Sequence, residues 1–217
     1  MKLARSLLIA SAIAGLPLSA GSASAGTPET KTVIDGLDYG PLARFVGTWK
    51  TLDDRGLDVA PGQEGSEVGK GGEAASPYYE TIQFIPAGGV TNASSQHLVA
   101  ISYHQKVFRK SNNQQFHDQV GYLIYDKANE TIYDSFCIPR AVCVVAAGKL
   151  NTTLSLTAQG TGIVQSDYMA MNDKTEKFTI SYEISEDIMQ YSQETTLHVY
   201  GKPFIHTDID TLTRVKG

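Results

Sequence analysis

The chain has 217 residues, with 18 Lys and Arg, 23 Asp and Glu, and a formal net charge of −5. There is no basic cluster to form a phosphate-binding face, which argues against nucleic acid as a partner. The length suits one β domain, since sandwiches and barrels of this size are often single units.

Met1–Ala25 reads as a secretory signal peptide. Lys2 and Arg5 give a short positive start, Leu7–Leu18 is uncharged and apolar, and small residues follow up to Ala23-Ser24-Ala25. That order of positive, apolar and A-x-A zones is what a signal peptidase reads. The apolar run is too short for a membrane span, and no later run is longer. Removal of Lys2 and Arg5 takes the net charge from −5 to −7. The expectation is an exported protein, periplasmic or secreted, with residues 26–217 forming one ligand-binding domain.

Gly40–Phe45 reads as a short helical turn, and Phe45–Leu52 as the first strand. Residues 58–77 are rich in Gly, Glu and Ser and nearly free of large apolar side chains, so a flexible surface loop is expected there. From Tyr78 onward strands and turns alternate. Val99, Ile101 and Tyr103 share one face of a strand. Phe178, Ile180, Tyr182 and Ile184 share another, with Thr179, Ser181 and Glu183 opposite, which is the period-two pattern of a half-buried strand. Leu154 and Leu156 mark a further short strand. Turn signals fall at 86–89, 111–113, 126–129, 172–173 and 185–187. Short strands at such spacing predict an all-β, antiparallel up-and-down barrel of about ten strands. A barrel closes its own edges and holds one small ligand inside.

Cys137 and Cys143 are the two cysteines, and they flank a turn-like Ile-Pro-Arg-Ala-Val. In an oxidising compartment such a pair is expected to bridge a hairpin. No His or further Cys stands nearby at metal-ligand spacing.

Hydrolase elbows, zinc-protease motifs, phosphate loops and dinucleotide fingerprints are absent, so the five histidines are the candidates for chemistry. His104 and His198 alternate against apolar neighbours and read as solvent-facing, and His97 lies near a strand start. His117 shares a face with Gln119, Gly121 and Leu123, and that face is a candidate for the lumen; a hydrogen-bonded structural histidine is the competing reading. His206 lies in Gly201-Lys-Pro-Phe-Ile-His206, ahead of a final strand expected over 208–215. Taken alone it reads more readily as structural than as a ligand.

Several segments resemble the nitrobindin-like heme-binding proteins, calycin-type barrels related in shape to lipocalins and fatty-acid-binding proteins. Pro41–Trp49 is similar to that family's opening, Tyr79-Glu-Thr-Ile82 to its Tyr-Pro-Thr-Ile, and Phe116–Leu123 to its His-x-Glu-x-Gly segment. His206–Arg214 is similar to its terminal His, Leu and basic residue. The resemblance implies heme b as cofactor, His206 as the iron ligand, Thr81 near the heme rim and His117 toward the pocket. It also implies nitric oxide chemistry and peroxynitrite isomerisation. This chain departs from the family pattern after Trp49, where Lys50-Thr51-Leu52 replaces a Gly-x-Gly run, and at 58–77. The alternative expectation is a heme-free barrel holding a small hydrophobic molecule.

Overall fold

The computed structural model describes residues 31–149, 151 and 153–216. The expected signal peptide, Met1–Ala25, lies outside the described residues.

A small ribbon, β1 (Val33–Ile34) and β2 (Leu37–Asp38), leads into a 3-10 turn over Gly40–Arg44. The barrel then runs through β3 (Gly47–Thr51), β4 (Gly56–Pro61), β5 (Glu73–Asn92), β6 (Gln96–Arg109), β7 (Gln115–Asp126), β8 (Thr131–Ile138) and β9 (Val142–Lys149). It continues with β10 (Leu154–Gln159), β11 (Ile163–Gln165), a six-residue helix α1 (Asp167–Asn172), β12 (Asp173–Ser185), β13 (Ile188–Val199) and β14 (Lys202–Arg214). Every pairing is antiparallel. β3 and β4 occupy one position between β14 and β5, and β10 and β11 both meet β9. The result is a closed barrel of 10 strands, as the alternation predicts.

Two expectations along the chain are corrected. The stretch 58–77 is not one flexible loop: residues 58–61 finish β4 and 73–77 begin β5, paired Asp58↔Ser76 and Val59↔Ala75. Small side chains hid the period there, because Ala74 and Ser76 turn inward without the bulk that marks a core face. Pro86–Gly89 is likewise no turn but a bulge inside β5, where the register with β6 shifts between Pro86 and Gly88. The bulge frees the Gly88 N–H, which donates to the Tyr39 hydroxyl (3.1 Å).

The two ends of the barrel differ. At one end the 3-10 turn acts as a plug. Leu42 and Phe45 are buried among Trp49, Phe84, Leu123, Tyr182 and Leu212. The Trp49 indole N–H donates to the Phe45 carbonyl (2.7 Å), and the Arg214 guanidinium covers the ring at 4.1 Å. At the other end lie the β4–β5, β6–β7, β8–β9 and β13–β14 turns and α1, and this end is hollow. Cys137 and Cys143 pair directly across the β8–β9 hairpin and are joined by a disulfide, with Cα atoms 4.1 Å apart. They close the turn that carries Arg140. Among the described residues no helix is long and apolar enough to cross a membrane.

Candidate functional site

The hollow end holds a cavity of about 360 Å³. Period two decides its lining: in each strand alternate residues turn inward, so the wall can be read down each strand. β7 contributes His117 and Gln119, β8 and β9 contribute Phe136, Ile138, Val142 and Val144, and β13 contributes Tyr191, Gln193, Thr195 and Leu197. β14 sends in His206 and Asp208 above the buried Asp210 and Leu212. One side of the wall is therefore apolar, and the other, formed by β4, β5, β13 and β14, is polar. At the mouth are two guanidinium groups: Arg109, whose central carbon Cζ lies 4.4 Å from the centre of the Phe116 ring, and the exposed Arg140.

His206 sits in the interior of β14, not ahead of it, because the last strand begins at Lys202 and includes Pro203. Its neighbour Ile205 faces solvent, whereas Phe204 is buried. Its Nε2 donates to Asp58 Oδ1 at 2.6 Å and lies 3.3 Å from Asp208 Oδ2. Asp58 reaches it because β4 and β14 pair Asp58↔Asp208. Asp208 in turn accepts from Gln193 Nε2 (3.1 Å). Burial works against charge on His206, but the Asp58 bond and the two carboxylates outweigh it and raise its proton affinity. Burial pushes the Asp208 carboxyl up, with Asp58 adding to the effect and His206 opposing it. His117 goes the other way: burial lowers its pKa, assisted by the charges of Arg140 and His206 and opposed by a bond to Gln119. The cavity thus holds one imidazole clamped by carboxylates and one whose proton affinity burial lowers.

A second polar layer lies beneath. Tyr78 and Tyr191 are hydrogen-bonded through their hydroxyls at 2.7 Å. Gln105 donates to Glu80, and Thr51 donates to Asp210 (2.6 Å). Burial, then the charge of Asp210, pushes the Glu80 carboxyl well up. One Glu80 oxygen has no partner among the described residues. These buried acids hold protons more firmly than free carboxyls do, which spares the lumen a stack of negative charge.

Of the residues expected at the site, His206 and His117 do meet in one cavity. Thr81 does not join them. It is exposed on the outer wall between Lys50 of β3 and Lys106 of β6, while Glu80 and Ile82 turn inward. The parity of a strand decides this, and a motif match that is one residue out places the wrong side chain inside. His104 faces outward, as expected, and pairs with Asp118 (3.0 Å). Sequence reasoning missed Asp58, Asp208, Glu80 and the rim arginines. Asp208 and Asp210 share the parity of His206 and were within reach of the period-two argument. Asp58 gave no signal, because β4 is legible only once its neighbours are placed.

The family described as the THAP4-like, heme-binding β-barrel domain matches residues 38–214. The chain belongs to that family. The matched span runs from the end of β2 to the end of β14, so the heme-binding-barrel domain comprises the whole closed barrel and both cavity histidines. The crystal structure of Rv2717c from M. tuberculosis shares the fold, with a TM-score of 0.56 at 16% identity, covering 81% of this chain and 95% of that one. No curated protein matches the chain in sequence.

The residues present fit a heme. An imidazole is a sound iron ligand when neutral, an apolar wall suits the faces of a porphyrin, and arginines at a mouth suit its two carboxylate arms. His206 or His117 would supply the axial nitrogen, and Arg109 and Arg140 would hold the carboxylates. With Asp58 and Asp208 on Nε2, His206 would offer that nitrogen to heme iron only after the carboxylates have been displaced.

Proposed function

We propose that the mature chain is exported and binds heme b in its cavity, with His206 as the axial ligand and His117 on the cavity wall. The observation that carries the reading is the meeting of two imidazoles in one part-apolar cavity with Arg109 and Arg140 at its mouth. Held by one imidazole, heme would supply an iron centre able to take up a small diatomic ligand. Nitric oxide and peroxynitrite are the proposed reactants, peroxynitrite being isomerised to nitrate. The chain's own part is to orient the imidazole, to keep His117 on the cavity wall and to limit water with Phe136, Val142 and Val144.

Hemin titration followed by absorption tests this. The parent protein is expected to develop a Soret band at one equivalent. His206→Ala is expected to lose the five-coordinate spectrum, whereas His117→Ala keeps it and changes ligand access. Retention of the parent band and affinity by His206→Ala would move the axial role to His117. Intact mass from an exporting host tests the signal peptide: a chain still carrying Met1–Ala25 refutes it.

A second reading has its own support. The Asp58–His206–Asp208 cluster occupies Nε2, and such a cluster suits a heme-free barrel that binds a small, partly hydrophobic molecule. A parent protein that takes up no hemin would favour it.

A further inference from the structure

Asp58, His206 and Asp208 differ from the other polar groups of the cavity in that their donor atoms converge. Asp58 Oδ1 lies 2.6 Å and Asp208 Oδ2 3.3 Å from His206 Nε2, and the ligand atoms of all three residues fall within 4.8 Å of one another. Register brings them together: β4 and β14 pair Asp58 directly against Asp208, and His206 lies two residues before Asp208 on the same face of β14. Their charges do not balance. The Asp58 side chain is 5% exposed and that of Asp208 18%, and among the described residues no Lys or Arg pairs with either carboxylate. The imidazole offers one positive charge at most. Outside the trio the Asp58 carboxylate has no hydrogen-bond partner among the described residues. Charges taken out of water are ordinarily paired or bound to a metal. Unlike the deeper acids Glu80 and Asp134, these carboxylates line the open cavity, where an ion can reach them.

We propose that Asp58, His206 and Asp208 form a three-ligand site for a free divalent transition-metal ion, bound through His206 Nε2 and one oxygen of each carboxylate. The inference goes beyond the heme reading and does not depend on it. A bare ion uses the three atoms at once, whereas heme iron reaches Nε2 only after both carboxylates have left. Ligand bonds of about 2.0–2.2 Å place neighbouring donor atoms roughly 3.0–3.4 Å apart. The Asp208 oxygen already stands at that distance from Nε2, and the Asp58 oxygen needs to retreat by roughly half an ångström. On binding, Nε2 gives up its proton and the neutral ring carries one at Nδ1. One imidazole and two carboxylates, with no thiolate, suit zinc, manganese or ferrous iron rather than a soft ion. Gln193 Nε2 donates to Asp208 Oδ2 at 3.1 Å and is the outer partner that orients this ligand. Three ligands on one wall leave the remaining positions facing the cavity, which is the arrangement of an open site that holds water or a small anion.

The test is titration of the tag-free, chelator-treated protein with Co²⁺, whose visible d–d bands report its ligands, followed by displacement with Zn²⁺. The parent is expected to bind one equivalent of each. Asp58→Asn and Asp208→Asn keep the shape of the wall but weaken a ligand, and His206→Ala removes one. Each is expected to lose the bands and to weaken binding by more than the about 10- to 100-fold that loss of an outer partner costs, whereas Gln193→Ala is expected to fall within that range. His104→Ala, on the outer wall, is expected to bind as the parent does. A parent that binds neither ion overturns the proposal, as does binding that survives unchanged in Asp58→Asn, Asp208→Asn and His206→Ala, which would mark an adventitious surface ion. Circular dichroism separates loss of ligand from misfolding, and the two Asp→Asn variants remain informative where His206→Ala does not fold. Hemin supplies the second arm. Zn²⁺ is expected to block hemin from His206, and hemin bound at His206 with Zn²⁺ retained would place the ion elsewhere and overturn the proposal. A parent that develops a Soret band but binds no free ion refutes the metal site and leaves the heme reading standing; one that binds the ion but no hemin does the reverse.

Discussion

Asp134 gives the most quantitative test of the buried polar interior. It lies on β8, fully buried, and accepts from the Tyr103 hydroxyl at 2.8 Å through Oδ1, while Gln119 donates to that hydroxyl at 2.8 Å. Its Oδ2 has no partner among the described residues. Burial pushes the carboxyl from 3.8 to about 7, with the Tyr103 bond opposing. The folded protein therefore keeps this proton up to about pH 7, whereas the unfolded chain releases it near pH 4. Between those values the folded state binds more protons, so stability falls as pH rises, and the loss is complete above pH 7. A rise from 3.8 to about 7 is worth roughly 4 kcal/mol at most, at about 1.4 kcal/mol per pH unit. Asp134→Asn keeps the shape and the acceptor for Tyr103 but has nothing to ionise. Urea unfolding at pH 4, 6 and 8 is the assay. The variant is expected to match the parent at pH 4 and to exceed it increasingly toward pH 8, by up to about 4 kcal/mol. A constant difference at all three pH values would show that Asp134 does not hold a proton in the fold, and the account of the neutral buried acids would go with it.

Trp49→Ala is expected to cost about 3–5 kcal/mol, because the ring is wholly buried and stacks under Arg214; a near-zero change in urea unfolding would mean that the plug does not brace the barrel. Cys137→Ser with Cys143→Ser is expected to lower stability by about 2 kcal/mol on the chain-entropy account of a short loop, and two alkylatable thiols in the oxidised parent would show that the bridge does not form. Gly121→Val is expected to destabilise by about 1–3 kcal/mol, since even a Cβ there would lie 2.6 Å from the Ser135 carbonyl oxygen and from Phe136 Cβ; thermal unfolding indistinguishable from the parent would contradict this close approach of β7 and β8. In the hemin titration, His206→Ala loses coordination and His117→Ala keeps it if His206 is the axial ligand.

How much of this was legible follows the range of each interaction. Alternation within a strand is local, because successive side chains point to opposite faces whatever the strand pairs with. That is why Ile101 and Tyr103, Gln119 and Leu123, and Phe178, Ile180 and Tyr182 could be placed on inward faces, and why an all-β barrel of about ten strands was readable. The Cys137–Cys143 bridge was readable for the same reason, since a hairpin brings residues six apart together. Register between distant strands has no such local signal. The bond from His206 to Asp58 spans 148 residues and exists only because β14 pairs with β4 in one register. The outward turn of Thr81 and the bulge after Pro86 depend on where β5 meets β3 and β6. A shift of one residue would reverse every face of the strand, and nothing in a short stretch of sequence forbids it. The composition and periodicity of this chain determine a barrel with an inside and an outside. Which polar side chains meet inside, and that a carboxylate from the least strand-like segment grips His206, was decided by long-range pairing: only barrel closure makes each strand's register answer to both of its neighbours.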